Sequence, residues 1–276
     1  MASVQSVASR FSYLPKWLAW IDFLGLFEKD PFGNSLFIKR LMISVIGWAT
    51  YWRFAVVNKV QMEGVEHLEN LPEHGILFLS NHQTYFADVI SFYHIFSSIK
   101  WGFKSTIVPP LYLLAPRARS YYIAASETMK AGIVPKLFGI GGAITVERSW
   151  RAEGKNVKRN RDTSAGDKVA QALAHGWVVS FPQGTTSPFA PLRKGTGHLI
   201  QDNKPLVVPV VINGFRRAFD KKGLRFKKRN TTLTVRFKAP IQFDDTMTVD
   251  EIVERVRKEI EQEIPYDKMT WMQGGN

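Results

Sequence analysis

The chain has 276 residues, 45% of them hydrophobic and 22% charged, enough apolar material for one large core and too much for a disordered chain. It contains no cysteine, which excludes a disulfide framework, a thiolate nucleophile and a cysteine-based zinc site together. The net charge of +13 calls for an anionic partner, and eight Trp with nineteen Phe beside Lys and Arg suit a bilayer headgroup layer better than a nucleic acid.

The first ten residues lack a basic segment followed by a long apolar run and a cleavage site, so no signal peptide is expected. Pro15 to Phe27 reads as a short amphipathic helix, Asp30 to Ser35 as a turn, and Leu36 to Val57 as a second apolar helix. Trp17, Trp20, Trp48 and Trp52, flanked by Lys16, Lys39, Arg40 and Arg53, make this pair an interfacial hairpin over residues 1–58. Its longest charge-free apolar stretch, Leu41 to Trp52, is too short to cross a bilayer, which takes about 20 residues.

From residue 59 to 276 strands and helices alternate, the pattern of an α/β domain with a mixed, mostly parallel central sheet flanked by helices. Strands are expected at Lys59–Val65, Gly75–Ser80, Lys100–Ile107, Gly142–Glu147, Trp177–Phe181, Leu206–Ile212 and Leu233–Phe237. Helices are expected at Tyr85–Ser97, Thr163–His175 and Lys194–Gln201. A last helix opens on a capping box of Thr248 and Glu251, shows one apolar face from Val249 to Ile260, and stops at Pro265. Arg151 to Lys168 is polar and basic and reads as a solvated loop.

Chemistry concentrates at Asn81-His82-Gln83-Thr84-Tyr85-Phe86-Ala87-Asp88, which follows an apolar strand and opens an apolar helix. A histidine at the end of a buried strand lies where open α/β sheets place their ligands. A neutral imidazole can take a proton from an attacking hydroxyl while a carboxylate on its other nitrogen fixes the tautomer. The acceptor's hydroxyl can then attack an acyl group without a protein nucleophile. A serine hydrolase is disfavoured, because no G-x-S-x-G elbow occurs.

With three further segments, this one resembles the signature of the glycerolipid acyltransferases, the family of the lysophosphatidic acid acyltransferases. Gly142 to Arg148 resembles the second block, Phe181-Pro-Gln-Gly-Thr-Thr-Ser187 the third, and Val207 to Ile212 the fourth, all in family order. The N-terminal hairpin is similar to that of bacterial members which sit on one leaflet. The resemblance implies an O-acyltransferase that takes a fatty acyl group from acyl-CoA or acyl carrier protein. It implies a membrane-lipid acceptor, 1-acyl-glycerol-3-phosphate or another lysolipid, and work at the cytoplasmic face of the cell membrane. No metal or resident cofactor is called for. His82 would be the base and Asp88 its orienting acid; Arg148, Gln183, Gly184, Thr185, Thr186 and Lys194 would bind substrate, with backbone N–H groups near Gly184 holding the oxyanion.

Two departures stand out. The family usually places four residues between the His and the Asp, and here there are five; on a regular helix the extra residue would turn the carboxylate by about 100°. The third block carries Gln183 and Thr186 where the family has Glu and Arg, so two charges are missing, and Arg193 with Lys194 could restore one. An acceptor poorer in phosphate, such as a hydroxylated acyl-amino-acid lipid, becomes an alternative, and so does a non-catalytic membrane-binding member of the fold.

Overall fold

The computed structural model describes residues 28–129, 133–146, 151–152, 155–156 and 163–263. The expected helix at Pro15 to Phe27 lies outside them. The turn before the second helix forms as expected: the Asp30 carboxylate accepts the N–H groups of Phe32 (2.9 Å) and Asn34 (2.8 Å), a side-chain turn of the kind Asp favours. Ser35 then caps helix α1, Leu36–Ala55.

Helix α1 is two-faced. Leu36, Ile43, Ile46 and Phe54 are buried, and the last three belong to the main core. Ile38, Leu41, Val45, Trp48 and Trp52 form an exposed ridge at helical spacing on the other side. Among the described residues, no helix is long and apolar enough to cross a membrane.

The remaining elements follow in chain order. Strands β1 (Lys59–Glu63) and β2 (Ile76–Ser80) lead to helix α2 (Ala87–Lys100), strand β3 (Ser120–Ala125), helices α3 (Ser126–Met129) and α4 (Ile133–Ile140), and strand β4 (Ala143–Val146). A short antiparallel pair, β5 (Arg151–Ala152) and β6 (Lys155–Asn156), stands within the stretch expected to be a loop, and helix α5 (Thr163–His175) takes over its end. Strand β7 (Trp177–Ser180), helix α6 (Lys194–Asn203), strand β8 (Leu206–Asn213), helix α7 (Phe215–Ala218), strand β9 (Thr232–Phe237) and helix α8 (Val249–Glu259) complete the domain. The capping box of α8 is present, with reciprocal bonds between Thr248 and Glu251.

Seven strands form one sheet in the order β1-β9-β8-β2-β7-β3-β4, parallel except for the β8/β9 pair. The mixed, mostly parallel α/β sheet flanked by helices is therefore as the sequence implies. Strand β2 is central and buried at all five positions, which explains its unbroken apolar run. One expected strand is wrong. Lys100–Ile107 contains no strand: Gly102, at φ 83°, and Phe103 close the end of α2 through amides bonded to Ile99 O and Ser98 O. The strand that fills that place in the sheet is β3, whose Tyr121 and Tyr122 are buried.

Two buried polar groups tie α1 to the body. His94, fully buried, contacts Tyr112 Oη through Nδ1 (2.8 Å) and Thr50 Oγ1 through Nε2 (3.1 Å). Because the Thr50 hydroxyl donates to Ile46 O, it accepts from the His94 Nε2–H, which leaves Nδ1 to accept from Tyr112. Burial pushes His94 down to about 3, so this bridge stays neutral.

Lys39 is the strained member of the core. Its side chain is fully buried, Nζ sits 3.5 Å from the centre of the Tyr121 ring, and it has no hydrogen-bond partner among the described residues. Burial lowers its pKa from 10.5 to about 7, against an opposing pull from Asp30. Between those two values the folded chain holds Lys39 neutral while the unfolded chain protonates it. The unfolded state then binds more protons, so stability rises with pH across this window. Lys39→Met is expected to remove that rise and to stabilise the protein by on the order of 3 kcal/mol at pH 6. Urea unfolding at pH 6 and pH 9 reads it; equal slopes with pH for both proteins would count against it.

Candidate active site

The central strands bring the site together at their C-terminal ends. Strands β2 and β7 run parallel with Leu79 opposite Ser180, so the residues following them, His82 and Phe181, emerge side by side. Their rings stack at 4.0 Å with a 24° tilt. Asn81 clamps the loop to the neighbouring strand β8, exchanging both of its amide bonds with Ile212 N (2.8 Å) and Ile212 O (2.9 Å). Gln83 adds a bond from its amide to Ile212 O (3.0 Å).

His82 Nδ1 lies 2.9 Å from Asp88 Oδ2. Asp88 is completely buried, yet it is fully served: Oδ2 also accepts the N–H groups of Gln83 (2.6 Å) and Thr84 (3.0 Å), and Oδ1 accepts the Thr84 hydroxyl (2.7 Å). A carboxylate has no proton to give, so Nδ1 carries the hydrogen and Nε2 keeps its lone pair. The extra residue between the two costs the geometry nothing. Phe86 is the N-cap of α2 and Asp88 its second residue, so the spacing is absorbed in the non-helical turn from Asn81 to Tyr85.

A cavity of about 550 Å³ opens at His82. One side of it is apolar, built by Phe86, Val89, Tyr122, Met129 and Phe138 from α2, β3, α3 and α4. The other side is polar, with Gly184, Thr185, Arg193, Lys194 and Thr196 around the start of α6. The N-terminal end of a helix favours negative charge, and Arg193 and Lys194 stand at this one. Lys194 also pairs with Asp250 (2.8 Å), both side chains being exposed.

The expected substrate-binding residues thus divide. Gly184, Thr185 and Lys194 line the cavity with His82, whereas Gln183 and Thr186 do not. The Gln183 side chain turns into the protein and donates to Ala190 O (3.2 Å) and Gln262 Oε1 (2.9 Å), pinning the turn to the segment after α8. Thr186 is buried, and its carbonyl accepts from the Arg216 guanidinium. The Gly184 N–H closes the turn on Phe181 O (2.9 Å), so it is committed there rather than to an oxyanion. Arg148 lies outside the described residues.

Sequence reasoning missed Arg216. Its backbone N–H donates to Gln83 Oε1 (3.1 Å) while its guanidinium reaches Thr186, so one residue joins the His82 loop to the turn after β7. Burial lowers its pKa and the nearby charge of Asp88 raises it again. It places a cation beside the third block, from which the family's arginine is missing. Its position just past the fourth block, in Gly214-Phe215-Arg216-Arg217, was the available signal.

A family model described as Acyltransferase matches residues 60–213, more than half of the chain. No curated protein matches the sequence. Among solved structures, the fold is similar to that of the 1-acyl-sn-glycerophosphate (LPA) acyltransferase PlsC from Thermotoga maritima. The similarity has a TM-score of 0.52 at 17% sequence identity and covers 89% of this chain and 86% of that one.

Proposed function

The chain belongs to the acyltransferase family, and we propose that it moves a fatty acyl group from a thioester, on coenzyme A or acyl carrier protein, to the hydroxyl of a lysolipid such as 1-acyl-glycerol-3-phosphate. The observation that carries this reading is the His82–Asp88 pair at the junction of an apolar and a polar half-cavity. An acyl chain fits the first half, and an anionic headgroup fits the second.

His82 Nε2 takes the proton of the acceptor hydroxyl as its oxygen attacks the thioester carbonyl. Asp88 stabilises the imidazolium that forms, and the carbon–sulfur bond then breaks, with His82 returning the proton to the departing thiolate. No bond to the protein is made. The exposed ridge of α1 supports a peripheral position on the membrane, at its cytoplasmic face, where acyl thioesters are made.

The loss of two charged residues in the third block favours a second reading, in which the acceptor is a hydroxylated acyl-amino-acid lipid. A panel decides between them. Purified protein is given a labelled acyl thioester with each lysolipid or aminolipid separately, and the esters are identified by mass. Phosphatidate, formed from 1-acyl-glycerol-3-phosphate, is expected to dominate; exclusive acylation of the aminolipid would replace the first reading with the second, and no ester with any acceptor would sink both.

A further inference from the structure

The segment between β8 and β9 supplies Arg216 to the site, but its other cations take no part in the chemistry above, and it holds the densest positive charge in the chain. Phe215 to Asn230 contains eight Lys and Arg against a single acid, Asp220. The acid is used internally, its Oδ1 accepting Leu224 N (2.8 Å) and Arg225 N (3.0 Å) to close the turn. Arg217, Lys221, Lys222, Arg225, Lys228 and Arg229 are all exposed. A bridge between Phe219 and Phe226 makes the segment a small hairpin.

Two neighbours fix where this hairpin sits. On one side it meets the exposed ridge of α1: Arg53 donates to Leu224 O (2.7 Å), and Trp52 packs edge-on to Phe226 at 5.5 Å. Leu224, itself exposed, adds to the apolar ridge at that point. On the other side it meets the His82 loop. Lys221 O and Lys222 O accept the N–H groups of Tyr85 and Phe86, both at 3.0 Å, and both of those residues line the cavity. The approach is close enough that a Cβ on Gly223, at φ 79°, would fall 2.5 Å from Ala87 N.

From this arrangement we infer that the hairpin is a docking surface for anionic lipid headgroups, holding the cavity at the headgroup layer of an anionic bilayer. An apolar ridge bearing Trp48 and Trp52, bordered by a cationic cluster, matches the two layers of a membrane interface in order. A purely basic protein-binding face would have no use for the adjoining exposed Trp and Leu side chains. This surface builds on the lipid acceptor proposed above, because a headgroup layer at Tyr85 delivers that acceptor next to His82.

The test is the triple variant Arg225→Gln, Lys228→Gln, Arg229→Gln in the full chain, three side chains that do not line the cavity. Binding is measured to vesicles of phosphatidylcholine alone and of phosphatidylcholine mixed with phosphatidylglycerol. Each cation near such a surface contributes about a fivefold effect, so affinity for the mixed vesicles is expected to fall by about a hundredfold. That of the native chain should fall with added salt, and the difference between the proteins should vanish on neutral vesicles. Activity on acceptor dispersed in neutral detergent, where no anionic bilayer is present, should be unchanged. Equal binding of both proteins to mixed vesicles would overturn the inference. So would unchanged vesicle binding with a loss of affinity for the acidic acyl carrier protein, which would make the face a protein dock. Vesicle binding is read without turnover, so failed docking and failed acyl transfer are separate results.

Discussion

Replacing His82 with Ala is expected to lower kcat by about a hundredfold to ten-thousandfold, the usual contribution of a general base, while the protein stays folded. The side chain makes one hydrogen bond, to Asp88, and stacks on one ring, Phe181. Without it, Asp88 still accepts from Gln83 N–H, Thr84 N–H and the Thr84 hydroxyl, so no buried charge is left without partners. The acceptor hydroxyl, in contrast, loses the group that takes its proton. Initial rates with saturating acyl thioester, alongside a thermal melt, measure both halves of the expectation. An unfolded variant would say nothing of catalysis, and the hydrogen bonds that remain on Asp88 argue against that outcome.

Asp88→Asn is expected to cost activity of a similar order, about a hundredfold or more, for a different reason. The amide N–H groups of Gln83 and Thr84 both point at the position of Oδ2, so the Asn oxygen must lie there and the NH₂ group must face the Thr84 hydroxyl. That hydroxyl can reverse and accept. His82 keeps its tautomer and its position; only the negative charge that stabilises the imidazolium disappears. Asp88→Ala differs in kind, since it strips the acceptor from three buried donors at about 1–3 kcal/mol each and is expected to unfold the loop. The contrast separates the two roles of this carboxylate. A charge-independent, structural Asp88 would leave the Asn variant fully active and only the Ala variant impaired.

Much of this arrangement is legible in the sequence, and the reasons are local. His82 and Asp88 lie six positions apart at a strand-to-turn-to-helix transition, and short-range hydrogen bonds alone can close that distance. The sheet follows from runs such as Ile76 to Leu79, whose lack of alternation demands burial on both faces. The turn at Asp30 and the capping box at Thr248 each carry their own chemistry within a few residues.

What escaped the sequence depends on where the chain turns in space. The run Lys100 to Ile107 has strand-like composition, but Gly102 in a left-handed conformation ends a helix there instead. Strand β3, Ser120 to Ala125, is likewise without alternation, but no glycine or proline adjoins either end to mark it, as Gly75 marks the start of β2. Gln183 and Thr186 stand in the third block, but the direction of that turn sends one side chain inward to Gln262 and buries the other. Arg216 is distant from the His82 loop in sequence and reaches it only because β8 runs alongside β2. The extra residue before Asp88 would turn the carboxylate only if the helix had already begun, and its first residue is Ala87.

The central claim is direct transfer of an acyl group to a lipid hydroxyl with His82 as the base. Its most direct measurement follows labelled acyl thioester and lysolipid in one reaction, recording released thiol and new ester together for the native protein and for His82→Ala. The account predicts thiol and ester in equal amounts from the native protein, no acyl group on the protein at any time, and near-complete loss of both products in the variant. An acylated protein intermediate, or a variant that forms ester at the native rate, would contradict it.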